Sequence, residues 1–325
     1  MTLSIIGSGM IVGEVLAMLR DELPHIKVLS IYAHSNLRRA ENLAADFGID
    51  CVYTDYDALL RDDKADCIYI ANVNSAHYAY ALKALNAGRN VIIEKPICMT
   101  YEETQELIDL ARKKKLFLTE AVSLLHMPNM AAAREALPAL GRIRLVHCDY
   151  SQYSSRYDRY LKGDVAPAFC PDLGGGALRD LNVYNINFVV SLFGEPDAVE
   201  YKANRGHNGV DTSGLLIMTY PDFQCVCSAA KDSYGMPYAS IQGEKGILHV
   251  DGALNAFAHF TVTVRDAEGR LMTTEHEHNT FRHRLAHEFE EFRLMLEKRD
   301  FKKEEYYQNI SLEVMRCLSE AVDAE

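Results

Sequence analysis

The chain has 325 residues, 48% hydrophobic and 25% charged, which suffices for two globular domains with real cores and is too apolar for a disordered polymer. A formal charge of −12 argues against nucleic acid or an anionic membrane as partner of the whole surface and favours a small uncharged substrate. The eight cysteines form no C-x-x-C pair, Met1 to Ile6 carries no basic leader, and no apolar run approaches the roughly 20 residues that span a bilayer, so a soluble protein of a reducing cytoplasm is expected.

From residue 3 to about 120, short apolar strands (3–6, 26–33, 66–71, 90–93 and 116–119) alternate with amphipathic helices. That alternation predicts a parallel sheet with crossover helices, an α/β doubly wound (Rossmann) domain over 1–121. Thr100 with Glu103 forms a capping box opening the helix that runs to Lys115, and Gly88 follows an Ala-rich helix ending at Ala87.

Gly7-Ser8-Gly9 follows the first strand and opens a helix, where backbone N–H groups, continuing through Met10 and Ile11, cradle a pyrophosphate. The third glycine of the full dinucleotide fingerprint is Val12, with Gly13 one residue late; a simple tight turn is the alternative reading. Where an NAD-selective site ends its second strand with an acid, the chain reads Ala33-His34-Ser35-Asn36-Leu37-Arg38-Arg39. No carboxylate is present to repel a 2′-phosphate. His34, Ser35, Arg38 and Arg39 can bind one, which predicts NADP as preferred cofactor with NAD possible, unless the arginines merely begin a solvated helix.

Glu94-Lys95-Pro96 closes the apolar strand at 90–93. A lysine there faces a bound nucleotide, where its cation both holds the ribose and lowers the pKa of a neighbouring proton donor.

Beyond Glu120 the pattern changes to a domain over 122–325. A helical segment at 174–192 precedes β-patterned stretches at 198–203, 212–220, 224–230, 238–242, 246–250 and 260–265, which predict a largely antiparallel sheet, and helices at 283–297 and 309–323 finish the chain. The hydroxyl-rich stretch 150–158 offers Tyr153, Arg156 and Tyr157 as a wall for a polyol; an interdomain or subunit loop uses the same residues. Cys225 and Cys227 share one strand face and read as packing. His283 and His287 lie one helical turn apart, but Arg284 stands where a zincin places glutamate, so no metal is expected.

Ala71-Asn72-Val73-Asn74-Ser75-Ala76-His77, Ala84-Leu85-Asn86-Ala87-Gly88 and Glu94-Lys95-Pro96 together resemble the Gfo/Idh/MocA oxidoreductase family, and the likeness spans nearly the whole chain. The resemblance implies that Asn72, Val73, Asn74, His77 and Glu94 contact the cofactor, that Lys95 is catalytic, and that Pro96 follows a cis bond; Asn72-Val73 replaces the usual Thr-Pro. Gly174-Gly175-Gly176 running on to Asp180 and Tyr184 is similar to the family's glycine run and Asp-x-x-x-Tyr helix. This version resembles the glucose-fructose oxidoreductase and dihydrodiol or D-xylose dehydrogenase branch, whose Glu-Ala pair matches Glu120-Ala121 and places Glu120 at the cofactor. Asn182 stands where that branch has glycine, a tolerable change if φ is positive there.

Four residues put Asp180 and Tyr184 on one helical face. Tyr184 is expected to exchange the hydroxyl proton beside Lys95 while Asp180 grips a neighbouring hydroxyl. The expectation is an oxidoreductase for a sugar, polyol or cyclic alcohol, assembled as a homodimer through the open face of its second sheet. A non-catalytic NAD(P)-binding regulator and an NAD-dependent glycoside-cleaving enzyme are the alternatives.

Overall fold

A computed structural model describes residues 1–323. By contact the described residues divide into two compact units, 1–121 with 281–312, and 122–280 with 313–323.

The first unit opens with β1 (Thr2–Ile6), α1 (Met10–Asp21), β2 (Lys27–Tyr32), α2 (Leu37–Phe47), β3 (Cys51–Tyr53) and α3 (Tyr56–Arg61). It continues through β4 (Cys67–Ile70), α4 (His77–Asn86), β5 (Asn90–Glu94), α5 (Tyr101–Lys114) and β6 (Leu118–Ala121). The six strands are parallel in the order β3-β2-β1-β4-β5-β6. Helices cover both faces of such a sheet, so its strands read as largely apolar runs, and Leu3, Ile5, Ile68, Tyr69, Val91 and Ile92 are fully buried. Strand order reverses between β1 and β4, the place where this topology leaves a crevice at the carboxyl ends for a ligand.

The Thr100 hydroxyl accepts the Glu103 N–H (3.2 Å) while the Glu103 carboxylate takes the Met99 N–H (3.0 Å), the capping box read from the sequence with its return bond one residue earlier. β6 begins two residues later than the apolar run suggests. Lys115 turns left-handed to end α5 and the Leu116 N–H is spent on the Ala111 carbonyl of that helix (3.0 Å).

The second unit contains α6 (Ser123–His126), α7 (Pro128–Ala136), β7 (Ile143–Ser151), α8 (Tyr157–Leu161), a π-helical turn (Leu178–Asn182) and α9 (Val183–Phe193). Seven further strands follow: β8 (Ala198–Arg205), β9 (Asp211–Thr219), β10 (Gln224–Ala230), β11 (Tyr238–Gly243), β12 (Gly246–Asp251), β13 (Phe260–Arg265) and β14 (Leu271–His276). The sheet order is β14-β13-β12-β11-β7-β10-β9-β8, antiparallel except where β7 meets β10. Inward positions such as Val146, Cys148, Cys225, Cys227, Leu216 and Ile241 are buried, and α9 packs on β7 and β10.

Two helices close the chain, α10 (Ala286–Lys298) and α11 (Phe301–Asp323). Counted with the second domain in the sequence reading, residues 281–312 lie by contact with the first unit. The reason is β6, an edge strand whose outward N–H and C=O need partners. Glu304 accepts the Leu118 N–H (2.7 Å) and Gln308 donates to the Leu118 carbonyl (2.9 Å). From the same segment, Arg284 pairs with both carboxylate oxygens of Glu14 at 2.8 Å.

Candidate active site

In the first unit the glycine turn is built by contact with β4. Gly7 has φ +113°, and a Cβ there would stand 2.5 Å from the Ala71 carbonyl oxygen, so glycine is required twice over. Gly9 is the N-cap of α1 and offers no side chain to the first-turn N–H groups; a Cβ on it would meet nothing within 4 Å. The turn therefore presents bare backbone donors and a helix N-terminus, the chemistry a pyrophosphate needs. Val12 is fully buried, and a Cβ on Gly13 would make only an ordinary contact with Leu43 (3.8 Å). Helix-to-strand packing is thus solved by Val12 and needs no third glycine.

Beyond β2, the Asn36 side chain caps α2 by accepting the Arg39 N–H (3.2 Å), and the Arg39 guanidinium donates to the Ser8 carbonyl of the glycine turn. His34, Ser35 and Arg38 are exposed beside it. Met10 is 69% exposed immediately after the turn.

Three side chains pin the backbone on which Lys95 sits. Glu94 accepts the Lys95 N–H (3.3 Å), His77 Nδ1 donates to the Pro96 carbonyl (2.9 Å), and Glu120 accepts the Ile97 N–H (2.9 Å). The Lys95–Pro96 bond is cis. Glu94 is held from behind by the Tyr69 hydroxyl, Glu120 by the Ser311 hydroxyl.

Burial governs the charge states of this group. It pushes Glu94 up, Glu120 up to about 7, and His77 down to about 4. His77 is therefore neutral near pH 7, with its proton on Nδ1 because a carbonyl can only accept. Expected at the cofactor, His77, Glu94 and Glu120 spend these bonds on the 95–97 backbone. The buried Oδ1 of Asn72 finds no hydrogen-bond partner among the described residues. That orphan acceptor, with the uncovered glycine turn, fits a bound dinucleotide.

The substrate-side candidates are assembled within the second unit. Gly176 has φ +124°, and a Cβ on it would lie 1.9 Å from the Asp211 carboxylate, which accepts the Leu178 N–H (2.7 Å) and the Tyr201 hydroxyl (2.8 Å). Asp211 thereby starts the helical segment carrying Asp180 and Tyr184. A π-helical turn begins the segment, so Asp180 stands in the wider coil and Tyr184 in the first turn of α9. Tyr184 is 7% exposed with its ring 5.9 Å from that of Tyr150.

Asn182 corrects the expectation of positive φ. It is ordinary right-handed helix (φ −67°, ψ −21°), and its amide donates to the Cys227 carbonyl (3.0 Å) while accepting from Asn185 (2.8 Å). Asparagine is there for its hydrogen bonds to β10.

Asp180 is held by a residue the sequence reading missed. Lys231 Nζ donates to Asp180 Oδ2 (2.7 Å) and to the Ala168 carbonyl (2.6 Å), with the Phe169 ring centroid 4.7 Å away. The signal was available, because β10 alternates and Lys231 falls on the inward parity of Cys225, Cys227 and Ala229. The hydroxyl-rich stretch runs alongside. Gln152 and Ser154 donate backbone N–H groups to the Ala230 and Lys231 carbonyls (both 2.9 Å), Tyr153 stacks on Tyr234 (4.9 Å), and Tyr157 lies 5.8 Å from Phe169. Arg156 donates its backbone N–H to the Ser154 hydroxyl (3.3 Å) at the start of α8.

A Rossmann sheet with a glycine turn at its switch point defines a dinucleotide-binding unit. Residues 1–122 match the family described as "Oxidoreductase family, NAD-binding Rossmann fold", and residues 130–249 match "GFO/IDH/MocA C-terminal domain". The scyllo-inositol 2-dehydrogenase (NADP(+)) IolU of Bacillus subtilis (strain 168) is 33% identical over 268 residues, 82% of this chain and 80% of that one. The trans-1,2-dihydrobenzene-1,2-diol dehydrogenase of Xenopus tropicalis is 32% identical over 229 residues, 69% of this chain and 67% of that one. KijD10, a 3-ketoreductase from Actinomadura kijaniata in complex with NADP and TDP-benzene, matches with TM-score 0.85 at 20% identity, covering 100% of this chain and 97% of that one, a likeness of fold.

The chain belongs to the Gfo/Idh/MocA oxidoreductase family. It is an NAD(P)-dependent oxidoreductase, and no helix among the described residues is long and apolar enough to cross a membrane.

Proposed function

We propose that this enzyme is an NADP-preferring dehydrogenase acting on a hydroxyl of a sugar, polyol or related cyclic alcohol, with Lys95, Tyr184 and Asp180 as its catalytic residues. The observation that carries this is the pinning of the Lys95 backbone by Glu94, His77 and Glu120, a degree of immobilisation a solvent-facing lysine does not need. Bound nicotinamide supplies the hydride acceptor or donor.

The residues supply the rest. Tyr184 passes the hydroxyl proton, the general acid–base role a tyrosine hydroxyl can fill. Asp180 accepts a second substrate hydroxyl and so orients the carbon that reacts. At the other end of the cofactor, Arg39 beside Ser8, with no carboxylate between 33 and 39, favours the 2′-phosphate. A dehydrogenase whose relatives include inositol and dihydrodiol enzymes is best matched to a substrate carrying adjacent hydroxyls.

The test is a panel of aldoses, polyols, inositols and dihydrodiols followed at the NADPH absorbance, with Tyr184→Phe beside the wild type. Turnover that falls by about 10² or more in the variant, at unchanged NADPH affinity, is expected; full activity in Tyr184→Phe removes tyrosine from the chemistry. A cytoplasmic homodimer paired through the open sheet face, where Leu145, Leu215 and Leu271 are 40%, 50% and 66% exposed, completes the proposal. A monomer by light scattering would cancel that last part.

A further inference from the structure

We propose that Lys231 is a positioning residue of this site: from the inner face of the second sheet it fixes the Asp180 carboxylate, and with it the enzyme's demand for a hydroxyl adjacent to the one oxidised. This rests on the reading of Asp180 given above.

The pair is asymmetric. The Lys231 side chain is 3% exposed, whereas that of Asp180 is 34% exposed. A buried ion pair contributes little stability compared with apolar side chains of the same shape, so packing alone gives no reason for an ammonium at this inward position. Here a sequestered cation holds a carboxylate that solvent reaches, an arrangement suited to presenting an anion.

Choice of partner is also fixed. Asp211, the neighbouring carboxylate, is committed to the Leu178 N–H and the Tyr201 hydroxyl, so Lys231 is directed to Asp180. Its other bond, to the Ala168 carbonyl, and the Phe169 ring leave the ammonium little freedom to turn. The backbone of Lys231 is clamped as well: its N–H donates to the Thr212 carbonyl (2.8 Å) and its C=O accepts from Ser154 (2.9 Å). Lys231 thus ties three candidate elements together: the π-helical turn, the end of β10 and the hydroxyl-rich stretch. A carboxylate held this firmly discriminates, because a substrate lacking the matching hydroxyl takes water from the solvent-facing side of Asp180 and returns no hydrogen bond there.

The experiment compares the best substrate from the panel with its analogue in which the adjacent hydroxyl is replaced by hydrogen. In the wild type, kcat/KM for the diol should exceed that for the deoxy analogue by at least about 10². In Lys231→Met that ratio should fall at least about tenfold, through loss on the diol with little change on the deoxy analogue. NADPH affinity by fluorescence should stay constant, and Lys231→Met in an Asp180→Asn background should add no further loss.

Equal loss on both substrates, or an unchanged ratio, overturns the proposal. Should Lys231→Met not fold, Lys231→Gln, which keeps donors for Asp180 and Ala168, serves as the second variant; it should retain an intermediate ratio, and an unchanged one overturns the proposal. A wild type that oxidises nothing on the panel is a failure of the proposed function, whereas turnover indifferent to Lys231 is a failure of this inference alone.

Discussion

Glu120 accepts the Ile97 N–H at 2.9 Å, two residues beyond Lys95, and so anchors the lysine's backbone to the last strand of the Rossmann sheet. Removing that anchor with Glu120→Ala is expected to lower kcat roughly tenfold through misplacement of Lys95. Glu120→Gln keeps an acceptor for Ile97 and a group for Ser311, so it should recover most of the loss. Steady-state kinetics on the three proteins check this. Equal defects in both variants would mean that charge, and not the bond to Ile97, is what matters at 120.

Glu304 predicts a pH dependence of stability. Its Oε1 accepts from Leu118 and Gln308, its Oε2 is buried without a partner among the described residues, and burial pushes its pKa up to about 8. The folded state therefore binds a proton that the unfolded chain releases near its ordinary value. The contribution is fully present below about pH 4.5 and is lost as pH rises toward 8. Glu120, raised to about 7, acts with the same sign over a narrower window. Glu304→Gln removes one titration, so relative to wild type its Tm should rise between pH 5 and 8.5. The gain should be equivalent to a few kcal/mol, because each pH unit between the folded and unfolded pKa values is worth roughly 1.4 kcal/mol. Thermal melts across that range decide it, and parallel curves would show that Glu304 ionises normally.

How far the sequence carried depends on what each residue had to do. β1, β4 and β5 were legible because both faces of a parallel strand are buried, so Cys67 to Ile70 and Val91 to Ile93 are continuous apolar runs and Leu3 to Ile6 is broken only by the buried Ser4. β3 was missed because its three residues are only half-buried, and β14 because it is an exposed edge strand without apolar alternation. α11 begins at Phe301, eight residues before the helix expected, since its inward positions Glu304, Gln308 and Ser311 serve β6 through hydrogen bonds and break the apolar period. Lys231 differs: its inward parity after Cys225, Cys227 and Ala229 was legible, but the carboxylate it serves lies 51 residues earlier in the chain. Motifs gave the residue types around Lys95 and Tyr184, but the partners that hold them come from strands far apart in the chain.

The two glycines of the turn should separate folding from cofactor binding. Gly7→Ala forces a Cβ to within 2.5 Å of backbone at φ +113°, so it should cost more than about 2 kcal/mol and lower Tm. Gly9→Ala meets only open space and φ −67° suits alanine, so Tm should hold. Its methyl group nevertheless occupies the place a pyrophosphate approaches, and NADPH affinity should drop at least tenfold. Melting curves with and without NADPH read both effects; a Gly9→Ala protein that binds normally would move the phosphates off this turn.

The proposed role of Arg39 in binding a 2′-phosphate can be told from a merely structural one. A guanidinium bonded to phosphate contributes about 1.5 to 3 kcal/mol, so Arg39→Ala should lower kcat/KM with NADP by roughly 10- to 150-fold. NAD has no 2′-phosphate, and its kcat/KM should change less than about threefold if Arg39 acts on the ligand. The competing possibility comes from the same side chain's bond to the Ser8 carbonyl, which shapes the turn that both cofactors share. If that bond were the whole of its role, the two cofactors would lose equally. Arg39→Lys refines the distinction, since an ammonium retains the charge for a 2′-phosphate but loses the planar fork that can serve Ser8 and a phosphate together. Partial recovery with NADP alone would then assign Arg39 to the ligand.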